Sequence, residues 1–421
     1  MATTRTDQAA PAPSATLAID ARVRRKMAEG APIVHLAFGE AGLPVPASVR
    51  EALARAAGEN AYGPVAGSAG ALEAAAGYFE RRRMPTEPAQ IVFAPGSKAL
   101  LFALLSVLPG DVVLPRPAWV SYATQAALAG KRVWRVPIPA EAGGVPDPAA
   151  LQETLDEARR AGGDPSVLII TLPDNPTGTT APEKLVREVM EIAGANGLSV
   201  VSDEIYRDLA HDPEGLRSPA EYLPERTYVT SGLSKSMALG GWRIGMARFP
   251  DAEVRHAVIA LASEIWSSLA APMQHVAAHV LAEPPDVVEH VARSRELHRA
   301  VTSGVHERLV AGGVECRPPS GGFYLYPDFE PFRDRLAELG ADGGDALAEL
   351  LLERFDVAVL SGSAFGDEPA ALRFRLATSL LYGGTDEERR EALASNDPTS
   401  LPRIRDALDR LGSAIASLTG A

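Results

Sequence analysis

The stretch SVLIITLPDNPTG, residues 166–178, joins an unbroken apolar run to a turn rich in proline and polar residues. Residues 166–172 predict a short strand that is buried on both faces, as strands of a parallel sheet are. The prolines and glycine of residues 173–178 predict a rigid turn that aims the amide of Asn175 into a crevice. Because ligands of open α/β sheets bind outside the carboxyl ends of the strands, this stretch predicts both a fold class and the position of a site.

The segments on either side alternate between strand and helix patterns. Strands are predicted at residues 90–94, 111–114, 133–136, 198–202, 227–231 and 244–249, and helices at residues 97–108 and 183–195. In the second of these helices Leu185, Val189 and Ile192 share one face, as in an amphipathic helix. Such alternation predicts a mostly parallel sheet that is covered by helices on both faces and joined by right-handed crossovers.

The pattern changes after about residue 284. Residues 286–311 predict one long helix, residues 322–326 and 371–376 predict strands, and residues 404–418 predict a final helix. We interpret this part of the chain as a second, smaller α/β domain. The charged and turn-rich residues 383–402 predict a surface insertion, to which the sequence assigns no role.

The composition excludes several classes of protein. The 421 residues carry a formal net charge of −13 with a pI near 5.2, so the surface should repel nucleic acid and anionic membranes. The longest apolar region, residues 99–108, falls far below the ~20 residues of a membrane span. The one cysteine, Cys316, excludes an internal disulfide and a metal centre of several thiolates, and we expect no metal site. Residues 1–15 predict a disordered tail without the apolar core of a signal peptide, which indicates a cytoplasmic protein.

Three further turns follow predicted strands and carry residues that are suited to chemistry. They are Pro95-Gly96-Ser97-Lys98, Asp203-Glu204-Ile205-Tyr206 and Ser231-Gly232-Leu233-Ser234-Lys235, the last followed by Gly240-Gly241-Trp242-Arg243. The first offers free helix N–H groups to a phosphate, and the second offers a carboxylate that needs a partner if it is buried. Taken singly, each has an ordinary alternative, namely a strand–helix turn, a helix N-cap at Asp203 or a surface lysine. Lysine occurs at only five positions, so a reaction that needs an amine has few candidates beside Lys235.

In this order and spacing the motifs resemble those of the fold-type-I pyridoxal-phosphate aminotransferases of class I/II, the aspartate-aminotransferase-like enzymes. The resemblance extends from about Ile33 to Thr378 and rests on Asn-Pro-Thr-Gly, Asp-x-x-Tyr and Ser-x-x-Ser-Lys, with an arginine eight positions after the lysine. It implies a large cofactor-binding domain, with a sheet of the seven-stranded type, and a smaller α/β domain from both chain ends. The implied boundaries are 1–16 for the tail, 17–59 and 301–421 for the small domain and 60–300 for the large domain.

The resemblance also implies roles for individual residues. Lys235 resembles the lysine that carries pyridoxal 5′-phosphate as a Schiff base, Asp203 the partner of the pyridine nitrogen and Tyr206 a donor to the ring hydroxyl. These three are the implied catalytic residues. The residues implied to bind the cofactor are Gly96, Ser97, Lys98, Trp119, Asn175, Asp203, Tyr206, Ser231, Ser234, Lys235, Arg243 and, from the neighbouring subunit of a homodimer, Tyr62.

The substrate is expected to bind to Gly39, Asn175 and Arg373. Arg373 resembles the arginine that holds the substrate α-carboxylate, and Arg375, two positions on, is its rival. In a regular strand the two arginines share a face, so only the resemblance favours Arg373. The chain departs from the family at residues 40–42, where Glu-Ala-Gly replaces the frequent Glu-Pro-Asp, and at Arg375, where a small polar residue is frequent.

The function implied is the transfer of an amino group from an α-amino acid to a 2-oxo acid by a homodimer with shared active sites. A lyase, a decarboxylase or an oxygen-using oxidase or hydroxylase on the same fold stays open, because these enzymes share the cofactor motifs. A non-catalytic cofactor-binding sensor module is a third reading, although the short tail and the acidic chain provide no DNA-binding segment. The sequence names neither the amino donor nor the acceptor.

Overall fold

The computed structural model describes residues 15–420 of the chain. Within this range the strands are β1 (Val34–His35), β2 (Ile91–Pro95), β3 (Asp111–Arg116), β4 (Val133–Pro137), β5 (Pro165–Thr171), β6 (Ser199–Asp203), β7 (Thr227–Gly232), β8 (Ile244–Arg248), β9 (Tyr324–Leu325), β10 (Val357–Ala358), β11 (Leu360–Ser361) and β12 (Phe374–Ala377). The α-helices are α1 (Ala15–Ala28), α2 (Ala47–Ala56), α3 (Ala69–Glu80), α4 (Ser97–Val107), α5 (Val120–Leu128), α6 (Pro148–Arg160), α7 (Glu183–Ala195), α8 (Ala252–Ile265), α9 (Ala271–Leu281), α10 (Pro285–Ala311), α11 (Arg333–Glu338), α12 (Gly344–Phe355), α13 (Asp386–Ala394) and α14 (Pro402–Thr419).

Seven of these strands form one sheet in the order β2–β8–β7–β6–β5–β3–β4. The pairs from β7 through β6, β5 and β3 to β4 are parallel, whereas β8 is antiparallel to both β2 and β7. The mostly parallel sheet predicted from the sequence is therefore confirmed. Because β8 begins at the edge where its neighbours end, the turn before β8 lies beside the turns that follow β2, β5, β6 and β7.

Strand β5, which lies inside the sheet between β6 and β3, shows how the sheet is buried on both faces. Val167 and Ile169 pack into the core formed with α4, α5 and α8, whereas Leu168 and Ile170 pack into the core formed with α6 and α7. Successive side chains of a strand point to opposite faces, so a strand between two helical layers needs apolar residues at every position. This requirement explains the unbroken apolar run that predicted the strand.

The shorter strands lie outside this sheet. β1 pairs with β10, and β11, β12 and β9 form a three-stranded sheet in that order. They share a hydrophobic core with α10, α12 and α14 that includes Val34, Val305, Leu351, Phe374 and Leu411. A core built from both chain ends agrees with a second, smaller domain. The boundary at 300/301 falls within the continuous helix α10, and the boundaries stay a prediction.

Two segments differ in detail from their sequence-based expectations. The tail assigned to residues 1–16 lies outside the described residues up to residue 14, but residues 15 and 16 already belong to α1. The surface insertion at residues 383–402 contains α13, whose N-terminus is closed by a capping box between Thr385 and Glu388. In residues 15–420 we find no helix long and apolar enough to cross a membrane.

Candidate active site

A cleft of about 540 Å³ opens at the carboxyl edge of the seven-stranded sheet. The residues singled out from the sequence that line it are Gly39, Ser97, Lys98, Trp119, Asn175, Asp203, Tyr206, Ser234, Lys235 and Arg243. They come from the turns after β2, β3, β5, β6 and β7, from the turn before β8 and from the segment after β1. The fold thus brings together side chains that are far apart in the sequence, as the rule for strand ends predicts.

Asp203 ends β6 at the floor of the cleft. Its carboxylate accepts hydrogen bonds from the Tyr122 hydroxyl (2.8 Å), the Thr230 hydroxyl (3.3 Å) and the Ile205 N–H (3.3 Å). Burial raises the pKa of Asp203 to about 6, against the opposing effect of these donors. No cationic side chain of the described residues forms an ion pair with it, so the site provides a buried carboxylate suited to a cationic or N–H-bearing ligand group.

Lys235 projects into the cleft from the turn after β7. Its Nζ donates a hydrogen bond to the Gly39 carbonyl oxygen (2.5 Å) and lies 5.8 Å from the ring centre of Tyr206. Burial, aided by the nearby Arg375 charge, lowers the pKa of Lys235 to about 8. A large share of this amine is therefore unprotonated at mildly alkaline pH, the form that attacks a carbonyl carbon.

The start of α4 and the turn before β8 form a cationic corner of the cleft. The Arg243 guanidinium packs so closely on Gly96 that a Cβ atom there would lie 2.1 Å from Arg243 Nη2. Arg243 itself has a φ of +56°, a left-handed conformation that costs about 1–3 kcal/mol in a non-glycine residue. Lys98, whose pKa is lowered by burial and by Arg243, lies 5.0 Å from the Trp119 ring centre. A helix N-terminus beside an arginine and the Ser97 hydroxyl is suited to bind a phosphate group.

Arg375 is the most buried charged residue of the cleft, with 1% of its surface exposed. Its Nη1 donates to Asn175 Oδ1 (3.2 Å) and its Nη2 to the Ala37 carbonyl oxygen (2.6 Å), whereas Nε has no hydrogen-bond partner among the described residues. The guanidinium lies 4.9 Å and 5.1 Å from the ring centres of Tyr324 and Phe365. Burial lowers the pKa of Arg375, as expected for a buried cation with no carboxylate partner in the described part of the chain.

Arg373 does not line this cleft, so the substrate contact expected for it from the sequence stays a prediction that this geometry does not favour. Its Nε lies 2.6 Å from Asp328 and its Nη1 lies 3.2 Å from Asp367, in a separate cavity beside Tyr326. Residues two positions apart in a strand are displaced by about 6.6 Å, so sharing a face does not place both arginines in one site. Two carboxylates already neutralise Arg373, whereas Arg375 contacts no carboxylate within residues 15–420.

Besides Gly96, which packs against Arg243, two further residues singled out from the sequence do not line the cleft. Ser231 is buried in β7, and its hydroxyl donates to the Glu204 carbonyl oxygen (3.4 Å), so it does not reach the cationic corner. Tyr62 is 94% exposed and makes no contribution to the cleft of its own chain. The role expected for Tyr62 in a neighbouring subunit stays a prediction.

Sequence reasoning missed several residues of the cleft. Tyr122 belongs to the quoted run 117–122, but its hydrogen bond to Asp203 depends on the packing of α5 against β5 and β6. Tyr324 lies at the end of the cleft that Arg375 occupies, and its hydroxyl is 2.7 Å from that of Tyr206. A tyrosine in a buried strand has no sequence signal that separates a core residue from a site residue. In residues 15–420 no group of three or more His, Cys, Asp or Glu side chains is arranged to hold a metal ion.

Comparisons with known proteins agree with this geometry. The family model "Aminotransferase class I and II" matches residues 31–395. The chain is 31% identical over 379 residues to a probable aspartate/prephenate aminotransferase of Aquifex aeolicus, covering 87% of this chain and 92% of the relative. It is 33% identical over 384 residues to an aspartate aminotransferase of Geobacillus stearothermophilus, covering 87% and 93%. The solved structure of aspartate aminotransferase from Thermus thermophilus with maleate superposes with a TM-score of 0.79 at 32% identity, covering 91% and 95%.

We predict that the Lys235 amine of ligand-free protein reacts with trinitrobenzenesulfonate with a midpoint near pH 8, because the pKa is lowered to about 8 and only the unprotonated amine reacts. Peptide mapping by mass spectrometry, repeated across a range of pH, measures the modified fraction. Lys184, whose side chain is 87% exposed, is the control for access of the reagent to the protein. A midpoint at Lys235 well above pH 8 would contradict the prediction.

Proposed function

This chain belongs to the class I and II aminotransferases, and from that premise we propose that the cleft is its active site, with Lys235 carrying the cofactor and Arg375 binding the substrate α-carboxylate. The family uses pyridoxal phosphate, so the chain is a pyridoxal-phosphate-dependent enzyme that moves an amino group from an α-amino acid to a 2-oxo acid. The names of its relatives favour transamination over the lyase, decarboxylase, oxidase and hydroxylase alternatives.

The residues that line the cleft provide a suitable partner for each group of pyridoxal phosphate. Asp203 is a buried carboxylate with no cationic partner among the described residues, as a protonated ring nitrogen requires. The start of α4, with Ser97 and Arg243, provides the anion site for the phosphate. Asn175 and Tyr206 provide polar atoms for the ring hydroxyl, and Trp119 provides an aromatic face for the ring.

The chemistry proposed for the chain's own groups follows from this arrangement. Pyridoxal phosphate, when bound, supplies the electron sink that accepts the charge of the substrate carbanion. Asp203 holds a proton on the ring nitrogen, because a nearby carboxylate favours the charged form of a base. Lys235 Nζ moves a proton between the substrate Cα and the former carbaldehyde carbon of the cofactor, a task for which its lowered pKa is suited.

The observation that carries the substrate proposal is the unpaired guanidinium of Arg375. A buried cation without a counter-charge costs several kcal/mol, so it persists where a ligand provides the missing anion. The planar guanidinium can hold a carboxylate by two parallel hydrogen bonds, and its Nε has no partner in the described chain. The α-carboxylate is the anion common to all amino acids and 2-oxo acids, so Arg375 is the group that defines this substrate class.

Aspartate is the amino donor that we propose to test first. Relatives of this chain are named aspartate aminotransferases and aspartate/prephenate aminotransferases, and the Thermus structure was solved with the dicarboxylate maleate. Lys98 also supports a second carboxylate in the substrate, because it lines the cleft and has no acidic partner among the described residues.

We also propose that the enzyme is a two-fold homodimer in which Tyr62 completes the active site of the neighbouring subunit. A tyrosine that is 94% exposed leaves a large amphipathic ring in water, and such rings are enriched in protein interfaces. Symmetric dimers bury the same patch of both subunits, so each subunit would receive one Tyr62 from its partner. The cytoplasmic location stays a prediction, which cell fractionation would test.

We predict that borohydride reduction of the holoenzyme attaches the cofactor irreversibly to the peptide that contains Lys235. The reason is that Lys235 is the lysine of the cleft with an amine beside both Tyr206 and Gly39. Mass spectrometry of the digested protein locates the adduct. Lys98, which also lines the cleft, provides the internal control, and an adduct on Lys98 would reverse the assignment.

We predict that Arg375→Ala loses roughly 30- to 5,000-fold in kcat/KM with aspartate, because truncating one partner of a buried charge pair costs about 2–5 kcal/mol. The loss should be much smaller with β-alanine, which is aspartate without its α-carboxylate. Arg373→Ala is the matched control. It should change kcat/KM only slightly, and to the same extent with both substrates, because Arg373 is paired with Asp328 and Asp367. If kcat/KM with aspartate falls selectively in Arg373→Ala and not in Arg375→Ala, Arg375 is not the residue that binds the α-carboxylate.

We predict that Tyr62→Phe raises the dissociation constant of pyridoxal phosphate roughly 10- to 150-fold, since a hydrogen bond to a charged group contributes about 1.5–3 kcal/mol. Fluorescence titration of the cofactor into the apoenzyme measures this constant. Leu128→Ala removes another exposed apolar side chain, 59% exposed on α5, and should leave the constant unchanged. Sedimentation that reveals a fully active monomer at every concentration would reject the shared site.

A further inference from the structure

Tyr324 lies at the junction between the part of the cleft proposed for the cofactor and the part proposed for the substrate carboxylate. It is 1% exposed, and its hydroxyl oxygen is 2.7 Å from the hydroxyl oxygen of Tyr206. The two rings meet edge to face, with centres 5.4 Å apart. Tyr206 comes from the turn after β6 of the large sheet, whereas Tyr324 begins β9 of the separate small sheet. This hydrogen bond therefore joins the two cores at the reaction site.

Two glycines leave room for Tyr324 in the position that it occupies. A Cβ atom on Gly39 would lie 2.4 Å from the Tyr324 hydroxyl, and a Cβ atom on Gly178 would lie 1.9 Å from the Tyr324 carbonyl oxygen. Gly39 also provides the carbonyl oxygen that accepts from Lys235, and Gly178 closes the turn that holds Asn175. The backbone around the site is thus fitted to this one tyrosine from both sides.

Arg375 closes a circuit of contacts that includes Tyr324. Its guanidinium lies over the Tyr324 ring, and its Nη1 donates to Asn175 Oδ1. Asn175 Nδ2 in turn donates a long hydrogen bond of 3.5 Å to the Tyr206 hydroxyl, which contacts Tyr324. A displacement of Tyr324 would therefore be felt both at Arg375 and at Tyr206.

Each phenol has a single proton, so the direction of the hydrogen bond between the two tyrosines determines whether Tyr206 can donate to a ligand. A phenol donates one hydrogen bond and accepts others. If Tyr206 donates to Tyr324, its only proton is used, and it has none for a ligand oxygen in the cleft. If Tyr324 donates to Tyr206, the proton of Tyr206 is free for that oxygen, and the chain of two bonds strengthens it as a donor.

We propose that Tyr324 is a positioning residue that donates its hydroxyl proton to Tyr206 and so makes Tyr206 a stronger donor to the ring oxygen of the cofactor. The inference rests on the proposed role of Tyr206 and extends it to a residue to which neither the sequence motifs nor the relatives' names assign a role. The aromatic ring of Tyr324 also packs against the guanidinium of Arg375. Tyr324 therefore couples the proposed carboxylate site of the substrate to the electronic state of the cofactor ring.

Tyr324→Phe tests this inference, because it removes one oxygen atom and keeps the ring under Arg375. The measured quantity is the pH midpoint of the absorbance change of the lysine-bound cofactor. A donor to the ring oxygen withdraws electron density from it and so disfavours the proton on the adjacent imine nitrogen. Losing the hydrogen bond from Tyr324 to Tyr206 should raise the midpoint by about 0.3–1 pH unit, which corresponds to the net free energy of one neutral hydrogen bond. It should also lower kcat about 2- to 10-fold.

Three variants make the outcome specific. Tyr326→Phe is the matched control, since Tyr326 is buried two positions away, donates to Asp367 (3.1 Å) outside the cleft, and should leave the midpoint unchanged. Tyr206→Phe should raise the midpoint further, and the double variant Tyr206→Phe/Tyr324→Phe should equal Tyr206→Phe alone. If Tyr324→Phe folds poorly, 3-fluorotyrosine at position 324 keeps the shape, is a stronger donor and should move the midpoint downwards.

The inference is overturned if Tyr324→Phe leaves the midpoint at the wild-type value, or if its shift persists in the Tyr206→Phe background. It also fails if Tyr206→Phe itself leaves the midpoint unchanged, because Tyr324 acts through Tyr206. None of these results affects the proposed attachment at Lys235, which the position of the borohydride adduct decides separately.

Discussion

The carboxyl ends of β2, β5, β6 and β7 meet at one edge of the seven-stranded sheet, and the placement of the proposed cofactor ligands of the large sheet depends on this constraint. A strand that is buried between two helical layers is mostly apolar, so charged and amide side chains collect where the strands end. Asp203 occupies such an end, and the turns with Asn175 and Lys235 follow two others. The antiparallel β8 adds Arg243 at the same edge because it runs the other way. The sheet thus converts a one-dimensional order of motifs into one cleft.

The charges of the cleft are not paired with each other, and this lack of pairing has a thermodynamic meaning. Asp203 is a buried carboxylate without a cation, and Arg375 is a buried cation without a carboxylate, among the described residues. By contrast, the buried carboxylate of Glu204 lies 2.7 Å from the guanidinium of Arg207, outside the cleft. Uncompensated buried charges destabilise a fold, so they are retained where a ligand with both signs completes them. Pyridoxal phosphate and an amino acid together carry such charges.

Most of the fold, and most of the residues that line the cleft, followed from the sequence because both depend on local patterns. The apolar run at residues 166–172 is β5 shifted by one residue, and the helix at residues 183–195 is α7 without a change. The choice between Arg373 and Arg375 did not follow, because both arginines fit the same strand pattern. It depends on Asp328, 45 positions before Arg373, and on Asp367, six positions before it, whose contacts with Arg373 only the folded chain reveals. Ser231 was expected near the cofactor phosphate for a related reason. The sequence at the end of a strand does not show to which face of the sheet a side chain points.

The two hydrophobic cores must keep a fixed relation to each other for the proposed chemistry to work. The proposed cofactor ligands belong to the large sheet, whereas Arg375, Tyr324 and Gly39 belong to the elements from the two chain ends. An error of about 1 Å in the relative position of reacting groups can cost about 100-fold in rate. The direct polar contacts across this boundary in the cleft are the bonds Arg375–Asn175, Tyr324–Tyr206 and Lys235–Gly39. Each joins a group proposed for the substrate side to one proposed for the cofactor side, so the same bonds that fix the geometry also connect the two binding events.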